Sequence, residues 1–188
     1  MSRIDHWNKR YLNKTATASV LPAELQRKLD DLAPGRTLDL ACGDGAAALY
    51  LASAGHNLMA VDFAVEGLRR LQQFAADVNV DVETQALDLN DSGALSGLGR
   101  FDNIVILRYL PDQTLLDTLP DLMKPGARLL IITFNLEYHR QTGFPERFCL
   151  QPGELTDKLP QLTLSRYDNG RLKESLFEIG RASCRERC

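Results

Sequence analysis

Short apolar runs and helically spaced apolar residues alternate along the chain. Residues 37–41 form an apolar run bounded by Gly35 and Gly43, which predicts a short buried strand. Further strands are predicted over 57–61, 80–86, 101–107 and 127–134, the fourth nearly all apolar and therefore central in its sheet. Between them lie predicted helices. Leu21, Leu25, Leu29 and Leu32 mark one over 22–32, stopped by Pro34-Gly35. Strong helix formers fill 46–54. Val65, Leu68, Leu71 and Phe74 give 65–76 a buried stripe, and a further helix is predicted over 114–123. Residues 90–99 read as a loop with one helical turn, and 135–152 as a long irregular stretch of the kind that is usually functional or mobile. A short helix over 154–159 precedes two strands, 162–167 and 171–177, around the hairpin signal Asp168-Asn169-Gly170. Strand alternating with helix predicts an α/β fold with a doubly wound, mostly parallel sheet.

The length, 188 residues, fits one domain over 1–179, with an N-terminal segment 1–33, a core 37–134 and a C-terminal part 135–179. Residues 180–188 lose the pattern abruptly and read either as a truncated ending or as non-native sequence. A net charge of -3 supplies no electrostatic footprint for nucleic acid and argues against such a partner. No apolar run approaches the ~20 residues that span a bilayer. The first residues lack the apolar core of a signal peptide, so a cytoplasmic location is expected. Cys42, Cys149, Cys184 and Cys188 match neither a disulfide framework nor a zinc pattern, and no metal is expected. The oligomeric state is not legible.

The chemistry concentrates at the end of the first strand, in Leu38-Asp39-Leu40-Ala41-Cys42-Gly43-Asp44-Gly45. Gly43 and Gly45 allow a sharp turn and a close approach of backbone to ligand. Asp62 ends the second strand, placed to accept from both ribose hydroxyls of a nucleoside, and equally suited to cap the next helix. Gly43-x-Gly45-x-x-Ala48 followed by an acid also satisfies the dinucleotide fingerprint. Three features favour S-adenosylmethionine instead. Asp39 lies inside the strand, where a pyrophosphate has no use for a carboxylate but an ammonium and a sulfonium do. Asp88, after the third strand, is placed to accept from an adenine amino group. Asp44 puts a negative charge where a pyrophosphate would sit.

These residues resemble class I S-adenosylmethionine-dependent methyltransferases over roughly 5–165. The stretch 39–45 is similar to the family's D-x-G-x-G-x-G, with Ala41 in place of the first glycine, a mild departure. Asp62, Asp88-Leu89, the run 101–107 and Lys124-Pro125-Gly126 match its later motifs in order. Trp7-x-x-Arg10-Tyr11, Arg108-Tyr109-Leu110 and Phe148-Cys149-Leu150-Gln151-Pro152-Gly153 resemble small bacterial enzymes of the tellurite-resistance and thiopurine type. The resemblance implies a Rossmann-like fold closed by an apolar antiparallel strand beside the fifth, either 176–179 or lost. It implies S-adenosyl-L-methionine held by Asp39, Ala41, Cys42, Gly43, Gly45, Asp62, Phe63, Asp88, Leu89 and Leu107. Trp7, Arg10 and Tyr11 would form an N-terminal flap, and Tyr138, Arg147 and Phe148 would face the acceptor.

Methyl transfer to a soft nucleophile needs alignment and exclusion of water more than a base. No unambiguous base stands out. Arg108, Tyr109 and His139 are the catalytic candidates, each with a bland alternative as an ordinary loop residue. The expected function is methylation of a small, soft or anionic acceptor by a soluble enzyme. Two other classes stay open: a nicotinamide-dependent oxidoreductase, and a non-catalytic S-adenosylmethionine-binding partner subunit.

Overall fold

The computed structural model describes residues 2–91, 93–168 and 174–180. The chain divides into two compact units, 1–94 and 95–188.

The first unit contains α1 (Arg3–Leu12), α2 (Ala23–Leu29), β1 (Arg36–Leu40), α3 (Ala46–Ser53), β2 (Asn57–Asp62), α4 (Val65–Asp77) and β3 (Val82–Ala86). Its strands are parallel, with β2 between β1 and β3. Leu38, Leu40, Ala60 and Val61 are wholly buried, so β1 and β2 carry the apolar runs of a sheet covered on both faces. α1 opens on a capping box between Ser2 and Asp5. α4 buries Gly67, Leu68, Arg70, Leu71, Phe74 and Ala75. Leu68, Leu71 and Phe74 of the predicted stripe are thus buried, whereas Val65 is 51% exposed. The predicted helix over 22–32 ends earlier, at Leu29, and Leu32 is buried from a turn. β3 starts two residues later than predicted. Asn79 takes φ 56° and the Val80 amide donates to the Ala75 carbonyl, so Val80 closes α4 instead of opening the strand.

The second unit contains β4 (Phe101–Leu107), α5 (Gln113–Thr118), a 3-10 turn at Leu119–Leu122, β5 (Met123–Phe134), α6 (Leu136–Thr142), a 3-10 turn at Glu146–Phe148, α7 (Glu154–Lys158), β6 (Thr163–Asp168) and β7 (Glu174–Gly180). β4 and β5 are parallel, β7 runs antiparallel to β5, and β6 antiparallel to β7. The apolar strand expected beside the fifth is therefore present as β7. The predicted helix over 114–123 is broken. Pro120 enters a 3-10 turn and Met123 already pairs with Phe101. Lys124-Pro125-Gly126, read as a turn into the strand, is a register shift inside β5, with Gly126 at φ 77°. The stretch 135–152 is not irregular throughout, since α6 occupies its first half. The hairpin tip 169–173 and the ending 181–188 lie outside the described residues. Among the described residues no helix is long and apolar enough to cross a membrane.

Candidate functional site

The β1 strand ends in a turn that three left-handed residues shape: Ala41 at φ 57°, Gly43 at φ 60° and Gly45 at φ 83°. The Cys42 amide donates to the Val61 carbonyl, tying the turn to β2, and Gly45 caps the start of α3. An alanine at positive φ costs about 1–2 kcal/mol, so Ala41 is a strained substitute for glycine and not the mild one its sequence suggests. The two glycines are required by the protein's own packing. A Cβ on Gly43 would lie 2.6 Å from the Tyr11 hydroxyl, and one on Gly45 would lie 2.2 Å from Leu71 Cδ1. Gly67, unremarked in the sequence, lets α4 reach the turn, because its Cβ would lie 2.8 Å from the Gly43 carbonyl oxygen. A glycine inside a helix is itself a signal of such a close approach.

Two carboxylates lie under the turn. Asp62 accepts from the Gly43 amide through Oδ2 and from the Ala64 amide through Oδ1, both at 2.8 Å. It therefore braces the turn and caps the entry to α4. Burial lifts its pKa, and the Ala64, Gly43 and Phe63 amides hold it partly down. Asp39 is 2% exposed and its Oδ2 has no hydrogen-bond partner. Burial first, and the neighbouring Asp62 charge second, push its pKa up to about 8, against the Ala48 amide. Burial likewise raises the Cys42 thiol, which leaves Cys42 as a small turn residue.

Asp44 does not present a free charge. It accepts from Lys14 Nζ at 2.7 Å, from Ser19 Oγ at 3.0 and 3.1 Å and from Arg70 Nη2 at 3.4 Å. With two cations on it, Asp44 is no barrier to a pyrophosphate, contrary to the expectation from the sequence. Arg70, buried on α4, also donates to the Thr15 carbonyl, which fastens residues 14–19 to the turn. Lys14, Ser19 and Arg70 carry no motif signal; the arginine on the buried side of α4 was the available hint.

Tyr11 is buried against Gly43, and burial with the Asp62 and Asp44 charges raises its pKa. Trp7 stacks on Tyr11 with centroids 6.1 Å apart, and the exposed Arg10 lies 4.9 Å over Trp7. The N-terminal aromatics thus form one face of α1, with Tyr11 on the turn. Asp88 lies two residues past β3 and accepts from Arg3 Nη2 at 2.6 and 2.9 Å and from the Asn90 amide at 3.0 Å. These donors, Asn90 foremost, lower its pKa. Phe63 is half-buried beneath the Arg3 guanidinium, and Leu89 is buried.

The second unit holds the other named residues. Leu107 ends β4 half-buried, and Arg108 follows at φ 57° with its amide donating to the Ile132 carbonyl. Tyr109 is half-buried. Asn135 caps α6 by accepting from the Tyr138 amide, and Gly143 at φ 71° ends it. Phe134 stacks on Tyr138 at 4.6 Å, and Phe144 tilts against both at 4.7 and 5.4 Å. His139 Nδ1 donates to the Phe144 carbonyl at 2.6 Å, so the ring carries its proton there and Nε2 is the basic nitrogen. Arg147 lies 4.6 Å over the exposed Phe148. Arg147 also lines a shallow open pocket with Leu110, Glu146, Cys149, Gln151 and Glu154. Among the described residues no group of three or more His, Cys, Asp or Glu side chains forms a metal site.

Comparison with known proteins agrees with this architecture. A ubiquinone biosynthesis O-methyltransferase of Xanthomonas oryzae pv. oryzae (strain PXO99A) is 32% identical over 111 residues, covering 56% of this chain and 45% of that protein. The chain thus spans about half the length of the curated relatives it matches. Among solved structures, TehB from Haemophilus influenzae superimposes with a TM-score of 0.70 at 18% identity, covering 95% of this chain and 66% of that one. N-methyltransferase NodS from Bradyrhizobium japonicum WM9, solved with S-adenosyl-l-homocysteine, gives a TM-score of 0.74 at 19% identity, covering 96% and 99%. These likenesses show the Rossmann-like α/β fold. The sequence model for the tellurite resistance protein TehB matches residues 2–175, and the chain belongs to that family.

Proposed function

We propose that the chain is an S-adenosylmethionine-dependent methyltransferase acting on a small, soft or anionic acceptor. The observation that carries the reading is Asp39, a buried carboxylate beside the β1 turn with one oxygen left without a partner. A buried acid without a donor is costly, and a cationic ligand at the turn resolves that cost. A dinucleotide pyrophosphate would add to it. Asp39 would face the ammonium and sulfonium end of the cofactor, Asp62 the ribose, and Asp88 with Phe63 the adenine, with Ala41, Cys42, Gly43, Gly45 and Leu89 lining it. When bound, the cofactor supplies a methyl group already activated by positive charge.

The protein's part is then to hold the nucleophile in line and keep water out. A thiol, selenol or oxyanion of a heavier chalcogen needs no strong base, which suits a site where His139 Nε2 is the sole basic imidazole nitrogen among the named residues. Arg108 and Arg147 carry the positive charge for an anionic acceptor, with Tyr109, Tyr138 and Phe148 as walls. The family's name and the O-methyltransferase relative both support a small acceptor. A nicotinamide cofactor is disfavoured by Asp39, and a cytoplasmic enzyme remains the expected setting.

The test is release of S-adenosylhomocysteine from S-adenosylmethionine in the presence of thiols, selenols and chalcogen oxyanions. Turnover with one of these classes is expected. Tight cofactor binding without turnover of any would leave the non-catalytic binding subunit as the better reading. In the same preparation, Asp62→Ala should weaken S-adenosylhomocysteine binding by about 1.5–3 kcal/mol, since charge-assisted hydrogen bonds are lost.

A further inference from the structure

Arg3 stands at the first turn of α1, outside every motif. Its Nη2 reaches both oxygens of Asp88, at 2.6 and 2.9 Å, and its guanidinium carbon lies 4.8 Å from the centroid of the Phe63 ring. One acid at the edge and one aromatic ring on the face is a recognition set for a flat group with in-plane donors. A guanidinium is such a group. So is adenine, with its exocyclic amino group at the edge and a stacking face. The two residues assigned to adenine are thus the two residues that Arg3 engages.

We infer that Arg3 is an internal stand-in for the adenine ring, which competes with the cofactor for Asp88 and Phe63 and must leave before the cofactor takes them. The inference rests on the cofactor reading above. Release is confined to the first turn of α1. Farther along the helix, Asn8 Oδ1 accepts from the Glu66 amide and Tyr11 stays buried against Gly43. The contact is suited to displacement: the Arg3 and Asp88 side chains are 50% and 41% exposed, and exposed ion pairs are weak. Arg3 therefore taxes cofactor affinity by the fraction of chains in which it is seated, and slows association.

The test is calorimetric titration of the full chain with S-adenosylhomocysteine, together with stopped-flow fluorescence. Trp7, the one tryptophan in the chain, lies on α1 and reports its movement. Arg3→Ala should bind about three- to tenfold tighter and associate faster. Arg3→Lys, which keeps the charge but loses the flat face, should fall between it and the parent. Thermal melts check that both variants fold. Unchanged or weaker binding by Arg3→Ala would overturn the inference while leaving the cofactor assignment intact. Weaker binding in particular would mean that Arg3 stays and covers the ligand. If Asp88→Ala and Phe63→Ala both leave affinity unchanged, the adenine site is misplaced and the inference falls with it. Absence of binding by the parent chain overturns the cofactor reading itself.

Discussion

Residues 39–45 hold two carboxylates, Asp39 and Asp44, both buried, and three left-handed residues in a single turn. Residues 135–148 hold α6, which buries none of its own residues, and an aromatic stack whose last ring, Phe148, is 46% exposed. In the first region the backbone sets the shape, and Tyr11 from α1 and Leu71 from α4 pack against it. In the second, the shape comes from rings resting on one another, with room at the edge. Substitutions should therefore act through folding and cofactor affinity in the first region, and through acceptor handling with little loss of stability in the second.

The largest expected effect is at Asp39. The unfolded chain ionises this group at its ordinary value, about 4, whereas the folded chain holds the proton to about 8. Its contribution to stability is complete below about pH 4 and is lost as pH rises through the folded value. Asp39→Asn should thus melt like the parent at pH 4. At pH 8, without ligand, it should be more stable by on the order of 3–5 kcal/mol. Denaturant titrations at the two pH values measure this. A parallel offset at both would break the claim that ionising Asp39 in the folded chain is penalised.

Next is Gly45→Ala, whose Cβ meets Leu71 at a positive φ. Strain and overpacking together should cost about 3 kcal/mol. Adding Leu71→Ala should recover part of the loss by making room, despite its own cavity cost. Lack of any coupling in that double-mutant cycle would mean that the glycine is needed for conformation alone.

The reading of 39–45 as a left-handed turn is sharpened by Ala41→Gly. Removing a methyl group at φ 57° should raise stability by about 0.5–1 kcal/mol, measurable as an upward shift in Tm. A smaller residue that stabilises a protein is uncommon, so a neutral or negative result would count against this turn geometry.

Smallest in stability is Phe148→Ala, expected to change unfolding free energy by less than about 1 kcal/mol because the ring is half exposed. Its effect should instead appear as a higher KM for the acceptor with cofactor affinity unchanged. A large stability loss would make the aromatic stack a core and erase the contrast between the two regions.

Much of this could be read in the sequence, for a physical reason. Phe101–Leu107 is apolar except at Asp102 and Asn103, and β4 has those bounds. The turn was visible because glycines at fixed spacing leave few conformations open. Ala41 hid its strain because an alanine shows no φ in a sequence. The Asp44 cluster was hidden because Lys14, Ser19 and Arg70 are ordinary residues brought together from two separate segments. α6 was missed since it has no apolar stripe to reveal a period. Its ends were nevertheless written in Asn135 and Gly143, a cap and a stop that could have been read. The tie between Arg3, Phe63 and Asp88 spans 85 residues from its first to its last member and has no local signature.

The central claim is that the β1 turn, with Asp39 beneath it, binds a cationic adenosyl cofactor and not a pyrophosphate. Calorimetric titration of the chain with S-adenosylmethionine and S-adenosylhomocysteine, with NADH alongside, tests it most directly. Micromolar binding of the first two with none of NADH is the predicted result. Binding of NADH alone, or of none of the three, would contradict it.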